Sequence, residues 1–341
     1  MGKRPKSLIF VVGNSRSGTT MLGRILGIHS KVYTFGELHF FEQLVGIDEF
    51  ASNHLWTKAK AQVLVEKLLT RARDGFFAKY LQGQYQSDAL KILDASSSLT
   101  PRDVYRAFMK SEAQRNGSEI ACEQTPRYLF VTNELLDAYP NARIINMVRD
   151  PRDVVKSQKS KWKRRFLGGG TIPLQEAIRA WCNFHPWFVS RLWLSSVKYA
   201  QSINDDRIIT IRFEDLLFDA EKEVSRICEF LGITFESEML LPPQVGSSSG
   251  LDSPEKLGVN RERAGGWRKT GIAASDRIIT EWVCKGPMQK FGYNDLRNNG
   301  RLTLAALPSM VTIPLKVAVA IPFNISRFRG VVSSIKRRLS V

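Results

Sequence analysis

The sequence predicts an α/β fold of three layers, in which a central parallel sheet is flanked by helices. Short apolar runs that suit buried parallel strands alternate with longer stretches of helical periodicity, and this alternation is typical of a parallel sheet covered on both faces. The apolar runs are residues 8–12, 119–122, 143–148 and 207–211. The helical stretches are residues 18–27, 57–73, 101–115, 128–138, 152–165, 174–200, 220–231 and 275–291.

The chain length and the charge indicate one large domain followed by a distinct tail. The 341 residues are sufficient for a single α/β domain, which we assign to residues 1–295. Residues 296–341 form an apolar and basic tail, with eight Lys or Arg residues and no Asp or Glu. The formal net charge of +17 favours anionic partners, such as phosphate-bearing cofactors, acidic glycans, nucleic acid or anionic lipid, and selects none of them.

The N-terminus and the cysteines indicate the compartment. Residues 1–6 are basic, as in a signal peptide, but the apolar run that follows spans only residues 8–12 before Gly13 and Asn14. Such a short run is typical of a strand and not of a secretory segment, so we expect a cytoplasmic protein. The four cysteines lie far apart and form no CxxC pair, which predicts buried reduced thiols and neither a disulfide framework nor a zinc site.

A glycine-rich loop lies between the first predicted strand and the first predicted helix. Residues 13–20 read GNSRSGTT, and a strand, a loop and a helix in this order present backbone N–H groups and a helix N-terminus to an anion. The spacing from Gly13 to Gly18 is that of a P-loop, but Thr19 stands where a P-loop has its lysine. The chain therefore lacks the charge that reaches the β- and γ-phosphates of a nucleoside triphosphate, and ATP or GTP hydrolysis is disfavoured.

Arg16 gives this loop a different kind of cation. Its guanidinium is forked and suits bidentate contact with phosphate or sulfate oxygens. Hydroxyl donors stand beside it at Ser17, Thr19 and Thr20. An ordinary turn is the alternative for such a loop, so the anion site needs the support of a second motif.

The second motif follows the predicted strand at residues 143–148. Arg149 stands at the carboxyl end of this strand, where ligands bind in open α/β sheets. Ser157 lies two helical turns further along the helix that follows. A strand-end ion pair of Arg149 with Asp150 or Asp153 is the alternative interpretation.

Together, the two motifs resemble those of the sulfotransferases that use 3'-phosphoadenosine-5'-phosphosulfate (PAPS). Residues 16–20 are similar to the 5'-phosphosulfate loop of that family, and residues 149–157 resemble its 3'-phosphate motif. The resemblance covers roughly residues 7–293 and is closest to the branch that holds tyrosylprotein and many bacterial sulfotransferases. It implies a P-loop-like fold, PAPS as the sulfuryl donor and 3'-phosphoadenosine-5'-phosphate (PAP) as the product. The implied cofactor contacts are Arg16, Ser17, Gly18, Thr19, Thr20, Arg149 and Ser157.

The resemblance also implies a catalytic base. In that branch the base is a glutamate after the helix that follows the loop, and an ungapped count from Arg16 places it at Glu37. Glu37 would take the proton of the acceptor hydroxyl, and Arg16 would stabilise the charge that develops on the bridging phosphate oxygen. His39 is a competing base because its ordinary pKa is close to neutral. If this stretch is helical, the two side chains point in different directions and His39 becomes a substrate contact; the alternative for Glu37 is a helix-cap carboxylate.

Two further segments are similar to the family, and one position departs from it. Lys161 matches a third, basic contact to the 3'-phosphate, and residues 265–269 (GGWRK) resemble a cofactor-covering Trp-Arg segment. A family lysine that helps to stabilise the transferring sulfuryl group is replaced by Gln124, which can donate hydrogen bonds but has no charge. The candidates for the missing charge are Arg16 alone, Arg127 and Lys269.

The resulting functional prediction is sulfuryl transfer from PAPS to a hydroxyl of an acceptor. A carbohydrate, including an acidic glycan, is favoured over a peptide or a lipid, and no nucleic-acid partner is expected. The transferred group carries one negative charge, so no Mg²⁺ is required, and no Asp or Glu cluster with metal-ligand spacing stands beside the loop. Two alternatives stay open: a P-loop kinase for a small molecule, and a non-catalytic basic module that binds nucleic acid or membrane.

The tail predicts a peripheral contact with an anionic membrane. Residues 303–323 are apolar and long enough to raise the question of a transmembrane helix, but Pro308, Pro314, Pro322 and Lys316 argue against a simple span. The final stretch can form a helix with an apolar stripe and a basic remainder, as interfacial helices do. The stripe contains Phe328, Val331, Val332, Ile335 and Leu339. The alternative is that the stripe packs on the catalytic domain or on a partner subunit.

Overall fold

The computed structural model describes residues 8–167, 172–244 and 253–324. A parallel sheet of five strands lies at its centre, in the order β2-β3-β1-β4-β5. The strands are β1 (Leu8–Gly13), β2 (Val32–Thr34), β3 (Ile120–Glu123), β4 (Arg143–Val148) and β5 (Ile208–Arg212). Helices cover both faces of the sheet, so the predicted three-layer α/β fold is confirmed.

Helices of different lengths connect the strands and extend beyond them. In chain order they are α1 (Thr19–Ile28), α2 (Phe40–Gln43), α3 (Ile47–Ala51), α4 (Lys58–Arg73), α5 (Gln86–Asp94), α6 (Pro101–Arg115), α7 (Thr132–Ala138), α8 (Pro151–Lys159), α9 (Leu174–Cys182), α10 (Pro186–Ser202), α11 (Phe213–Phe218), α12 (Ala220–Leu231), α13 (Gly266–Lys269), α14 (Ala274–Lys290), α15 (Leu307–Val311) and α16 (Ile313–Asn324). A short antiparallel pair, β6 (Pro243–Gln244) and β7 (Ser253–Leu257), is separate from the main sheet.

Strand β1 shows why the sheet has two helical layers. All six of its residues are buried, and successive side chains point to opposite faces of the sheet. Leu8, Phe10 and Val12 pack in a cluster with α4, α5 and α6. Ile9 and Val11 pack in a second cluster with α1, α11 and α12. The continuous apolar run is thus covered on both sides, as parallel sheets require.

The boundaries of most predicted elements are close to the observed ones, but helices α2, α3, α5 and α11 have no counterpart in the prediction, and three other regions differ. Residues 174–200, predicted as one helix, form α9 and α10, because Pro186 has no N–H to continue a helix and starts α10 after a cap at His185. The helices predicted at 128–138 and 152–165 each contain a 3₁₀ segment, at Pro126–Val131 and Lys161–Phe166. Strand β2 has no counterpart in the prediction, since its three residues are too few to show a period.

The parallel arrangement brings the carboxyl ends of β1, β3 and β4 to one edge of the sheet. The glycine-rich loop follows β1, residues 124–126 follow β3, and helix α8 follows β4. Strand β1 lies between β3 and β4, so the three segments are neighbours. The predicted anion motifs therefore occupy the same place in the fold.

The described part of the predicted tail lies on the surface of the domain. Ala306 is buried in a small apolar cluster with Ile278 and Ile279 of α14. Nε2 of His185 lies 2.9 Å from the carbonyl oxygen of Ser309. The predicted apolar stripe at residues 328–339 falls outside the described residues, so the interfacial helix and the domain boundary at residue 295 stay predictions.

Candidate active site

The glycine-rich loop turns sharply between β1 and α1. Gly13 has a φ of +142°, and a Cβ atom there would overlap the carbonyl oxygen of Met147 on β4. Gly18 has a φ of +97° just before α1, and a Cβ atom there would overlap the ring of Phe213. Arg16 also has a positive φ, of +75°. The close packing and the left-handed backbone therefore require glycine at both ends of the loop.

The hydroxyl of Ser17 is buried, and it has no hydrogen-bond partner in the described part of the chain. Ser17 is 0% exposed, and its Oγ forms no hydrogen bond with any of the described residues. A buried hydroxyl in this state is uncommon in native proteins and destabilising. An anion oxygen held by the N–H groups at the start of α1, where Thr19 and Thr20 lie, would satisfy it. The loop therefore fits a phosphate or a phosphosulfate group.

Arg16 and Ser157 connect the two predicted motifs. The Nε of Arg16 donates to the Oγ of Ser157 at 2.9 Å, across a sequence separation of 141 residues. Arg149, at the end of β4, donates through Nη1 to the carbonyl oxygen of Arg16 at 3.3 Å and through Nη2 to that of Arg263 at 2.8 Å. The Nε of Arg149 has no partner within the described ranges. The structure thus brings the loop, Arg149 and Ser157 to one surface.

A buried ion-pair network holds the start of helix α8. Arg152 is 0% exposed, and its Nη2 and Nε lie 2.7 and 2.9 Å from the two carboxylate oxygens of Asp150. Its Nη1 lies 3.1 Å from Oε1 of Glu281 on α14. Trp193 of α10 donates to the carbonyl oxygen of Arg149 at 2.9 Å. Sequence reasoning missed the role of Arg152, because only its tertiary partners distinguish it from an exposed arginine.

Glu37 and His39 form a pair. Nε2 of His39 lies 2.9 Å from Oε2 of Glu37, and its Nδ1 lies 3.7 Å from Oε2 of Glu42. Residues 35–39 are not helical, and His39 has a φ of +49° immediately before α2. The side chains of Glu37 and His39 would point in different directions only if this stretch were helical. It is not helical, and the left-handed backbone at His39 allows the two side chains to meet.

This pairing sets the charge of both side chains. Burial alone would lower the pKa of His39, but its hydrogen bonds and ion pairs with Glu37 and Glu42 raise it to about 9. Burial would raise the pKa of Glu37, but His39, with Lys161 and Arg127, more than offsets this effect and lowers it. At neutral pH the pair is therefore an imidazolium and a carboxylate. Of the two candidate bases, Glu37 is the one able to accept a proton.

Basic side chains gather beside Glu37. The pKa of Lys161 is lowered to about 8 by burial and by repulsion from Arg16, Arg127 and Arg164, while Glu37 acts in the opposite direction. Crowded like charges are unfavourable unless an anion binds among them. Glu37 is 40% exposed although protein atoms surround it closely, so its carboxylate is accessible beside these cations. We call Arg16, Arg127 and Lys161 the basic cluster.

The sequence profile of a known family matches the part of the chain that contains this site. The profile is that of the "Sulfotransferase family", and it matches residues 8–237. The chain belongs to the sulfotransferase family. The match includes the glycine-rich loop, Glu37, the basic cluster and the motif from Arg149 to Ser157.

Individual relatives of this sulfotransferase are distant. Protein-tyrosine sulfotransferase A of Caenorhabditis elegans is 22% identical over 255 residues, which cover 74% of this chain and 57% of the relative. Carbohydrate sulfotransferase 1 of Danio rerio is 20% identical over 334 residues, which cover 84% of this chain and 78% of the relative. A solved sulfotransferase domain from the curacin biosynthetic pathway is 20% identical, with a TM-score of 0.49, over 87% of this chain and all of that domain. This chain thus spans little more than half the length of the C. elegans relative.

Glu123 positions the segment that contains Glu37 in this sulfotransferase. It is the last residue of β3, is 0% exposed, and accepts hydrogen bonds from the N–H groups of Leu38 at 3.1 Å and Thr125 at 3.0 Å. Burial raises the pKa of its carboxyl group to about 8. Sequence reasoning missed this role, although an acidic residue at the end of a buried strand was a visible signal.

Gln124 is the residue at which the resemblance implies a lysine. Its side chain packs against α1, where a Cβ atom at Gly23 would lie 3.2 Å from its Cγ, and its Oε1 has no partner in the described part of the chain. Two candidates for the missing charge, Arg16 and Arg127, belong to the basic cluster. Lys161, which the resemblance assigns to the 3'-phosphate, lies with them.

The segment at residues 265–269 packs against α8. Trp267 is buried, its backbone N–H donates to Oδ1 of Asp153 at 2.8 Å, and its Nε1 donates to Oδ2 of Asp150 at 3.1 Å. Lys269 is exposed and donates to the carbonyl oxygen of Glu262 at 3.4 Å. The segment therefore lies beside the Arg149 motif, whereas Lys269 is outside the basic cluster.

Proposed function

We propose that this sulfotransferase transfers a sulfuryl group from PAPS to a hydroxyl of a carbohydrate acceptor. The observation that carries the proposal is the 2.9 Å hydrogen bond between Arg16 Nε and Ser157 Oγ, because it connects two anion motifs close to Glu37. PAPS carries phosphate at both the 3' and the 5' position of its ribose. Such a donor requires two anion sites at a fixed distance from one base.

The residues that would hold PAPS lie close together at the carboxyl ends of β1 and β4. The N–H groups at the start of α1 and the unpartnered Oγ of Ser17 fit the 5'-phosphosulfate. Arg149, with its unpartnered Nε, and Ser157 fit the 3'-phosphate. When bound, PAPS supplies a sulfuryl group that its bond to phosphate has already activated for transfer. That the reaction needs no metal ion stays a prediction.

Glu37 takes the acceptor proton in this proposal. Nε2 of His39 holds its Oε2, which leaves Oε1 to accept the hydrogen of the acceptor hydroxyl. The imidazolium of His39 also lowers the pKa of Glu37 and so keeps the carboxylate ionised at neutral pH. Arg16 and Lys161 stabilise the negative charge that develops at the loop and replace the charge that Gln124 lacks.

Two observations support a carbohydrate acceptor. The match to carbohydrate sulfotransferase 1 extends over 78% of that protein, and the net charge of +17 suits an acidic glycan. A protein-tyrosine sulfotransferase matches over 57% of its length, so tyrosine peptides are the second acceptor class to test.

A small-molecule kinase and a non-catalytic binding module have less support. Thr19 gives a kinase no lysine for the β- and γ-phosphates, and the family is one of sulfotransferases. A module that only binds anions would not need the pair of Glu37 and His39. The four cysteines are buried and free, which supports a reducing compartment and thus the cytoplasm.

Two measurements test the proposed function. In a thermal-shift assay with EDTA, PAP should raise the melting temperature and ATP should not. With sulfur-labelled PAPS and a panel of glycans, tyrosine peptides and lipids, label should appear on a glycan, and Glu37→Gln should label it far more slowly. Label on peptides or lipids alone would contradict the carbohydrate assignment. Stabilisation by ATP and not by PAP would contradict the use of PAPS.

A further inference from the structure

Helix α9 presents an apolar face to solvent. Leu174, Ile178 and Trp181 lie on one face of the helix, and all three are exposed, Trp181 by 56%. A surface helix ordinarily turns such a face towards the core. The acidic residue of α9, Glu176, forms an ion pair with Arg179. A contiguous exposed apolar face indicates an interaction surface.

Helix α16 lies beside α9 and extends this surface. Nζ of Lys316 lies 4.6 Å from the centre of the Trp181 ring, and Asn324 exchanges hydrogen bonds with Asn183. Leu304–Asn324 is the one stretch of the described chain that is long and apolar enough to cross a membrane by length and composition, with a mean hydropathy of 1.9. No residue of α15 or α16 is buried. We call this stretch, the exposed face of α9 and Phe166 the apolar ledge.

The contacts of the stretch at 304–324 hold it flat on the domain. Near its start, Ala306 is buried and the carbonyl oxygen of Ser309 lies 2.9 Å from Nε2 of His185. Further along, Lys316 lies over Trp181. A helix that crossed a bilayer would lose these contacts. The stretch is therefore placed to lie along an interface and not to span a membrane.

The charge near the ledge is positive. Within the described tail, residues 296–324 contain three basic residues, Arg297, Arg301 and Lys316, and no acidic residue. Lys163, Arg164 and Arg165 directly precede Phe166, which is 62% exposed. An apolar surface with a basic border is complementary to a bilayer that has anionic headgroups. The high hydropathy and the excess of basic over acidic side chains together favour a lipid surface over a protein partner.

We propose that the apolar ledge docks on the surface of an anionic bilayer, with α9 and α16 in the interface between headgroups and acyl chains. The 3₁₀ helix Lys161–Phe166 links this surface to the active site, because Phe166 belongs to the ledge and Lys161 to the basic cluster. Five steps of a 3₁₀ helix span about 10 Å. Docking therefore holds the active site close to the level of the headgroups.

Vesicle flotation of the full chain tests the proposal. We expect the protein to float with vesicles of phosphatidylcholine and phosphatidylglycerol, to float much less with phosphatidylcholine alone, and to dissociate as salt is added. The double variant Phe166→Ser/Trp181→Ser should lose this binding. Equal flotation of the wild type and this variant, or no flotation of the wild type, would overturn the proposal.

A matched control separates the ledge from general loss of apolar surface. Leu55 and Phe218 are exposed by 61% and 59% and lie outside the ledge, so Leu55→Ser/Phe218→Ser should float like the wild type. Loss of binding in both double variants would overturn the assignment to the ledge. If the ledge variant turns a dimer into a monomer in light scattering and the wild type does not bind vesicles, the ledge is a contact between two copies and the proposal is wrong.

A milder substitution gives an independent readout. Brominated phosphatidylcholine in the anionic vesicles should quench tryptophan fluorescence when the wild type binds. Trp181→Phe should still bind and show much less quenching, and unchanged quenching would contradict the placement of α9. Binding of PAP, measured by calorimetry, reports separately on the proposed function. Failure of the wild type to bind PAP would refute that function and leave the docking result standing.

Discussion

The Nε of Arg16 donates a hydrogen bond to the Oγ of Ser157, so the loop after β1 and the helix after β4 meet through their side chains. The contact is possible because β1 and β4 are adjacent parallel strands with both carboxyl ends at one edge of the sheet. The position of Arg16 in the loop therefore depends on Ser157 in α8, and the position of Ser157 depends on Arg16. A ligand bound at one of these motifs contacts a residue that the other motif holds in place.

Arg149→Ala is expected to weaken the binding of PAP. Each charge-assisted hydrogen bond to the 3'-phosphate contributes about 1.5 to 3 kcal/mol, so the dissociation constant should rise by about 10- to 100-fold. Calorimetry on the folded variant measures this change. Arg226→Ala is the control, because Arg226 lies on α12 and pairs with Glu223. Unchanged affinity in Arg149→Ala would remove Arg149 from the cofactor site.

Glu37→Gln is expected to lower turnover by about 10² to 10⁴, because the substitution keeps the shape of the side chain and removes the base. The affinity for PAP should change little. Turnover is measured with labelled PAPS and an acceptor identified in the panel. If His39→Ala shows this loss and Glu37→Gln does not, the base is misassigned.

His39→Asn is expected to shift the pH profile of turnover. His39 lowers the pKa of Glu37, so its removal lets that pKa rise. Since ionised Glu37 is required, the acidic limb of the kcat profile should move to higher pH. His39→Lys, which restores a positive charge, should move the limb back. An acidic limb at the same pH in all three proteins would show that His39 does not act on Glu37.

Lys161 should make the binding of PAP depend on pH near 8. An anion in the basic cluster favours protonated Lys161, whose pKa is about 8 in the free protein. Affinity should therefore fall as pH rises through 8, and binding near pH 8 should take up protons, which calorimetry in buffers of different ionisation enthalpy detects. Lys161→Arg stays charged and should flatten this dependence. A wild type with the same pH dependence as Lys161→Arg would place Lys161 outside the anion site.

Arg152→Met is expected to destabilise the protein. It removes the cation from buried Asp150 and leaves Glu281 with Arg277 alone, and breaking a buried pair in this way costs about 3 to 5 kcal/mol of unfolding free energy. Denaturant unfolding measures the loss. Arg226→Met breaks a partly exposed pair with Glu223 and should cost less than about 1 kcal/mol. Similar small losses in both variants would refute a stabilising role for the network.

Much of the fold is predictable because local pattern and tertiary packing agree. The apolar run of β1 is buried on both faces, and the glycines at 13 and 18 stand where the loop needs a left-handed backbone. The break between α9 and α10 was also visible, since Pro186 falls inside the stretch that periodicity assigns to one helix. What periodicity cannot show is a three-residue strand such as β2 or the 3₁₀ form of residues 161–166.

The side-chain partners within the site are less predictable. The left-handed φ of His39 decides that it meets Glu37, and nothing in the spacing of residues 35–42 indicates it. Glu123 accepts a hydrogen bond from the N–H of Leu38, which lies 85 positions away in the sequence. Lys161 lies close enough to Arg16 for their charges to repel each other, because the tertiary fold places its short 3₁₀ helix there. Such contacts follow from how strands and loops pack, and they leave no period in the sequence.

Lys161 and Phe166 stand at opposite ends of one 3₁₀ helix. If the proposed donor site and the proposed lipid surface both bias the position of this one element, the two binding equilibria are coupled and the coupling is reciprocal. If the bound donor raises the affinity for the bilayer by some factor, binding to the bilayer raises the affinity for the donor by the same factor. If both proposals hold, the partition of the protein between solution and membrane would depend on how much donor is available.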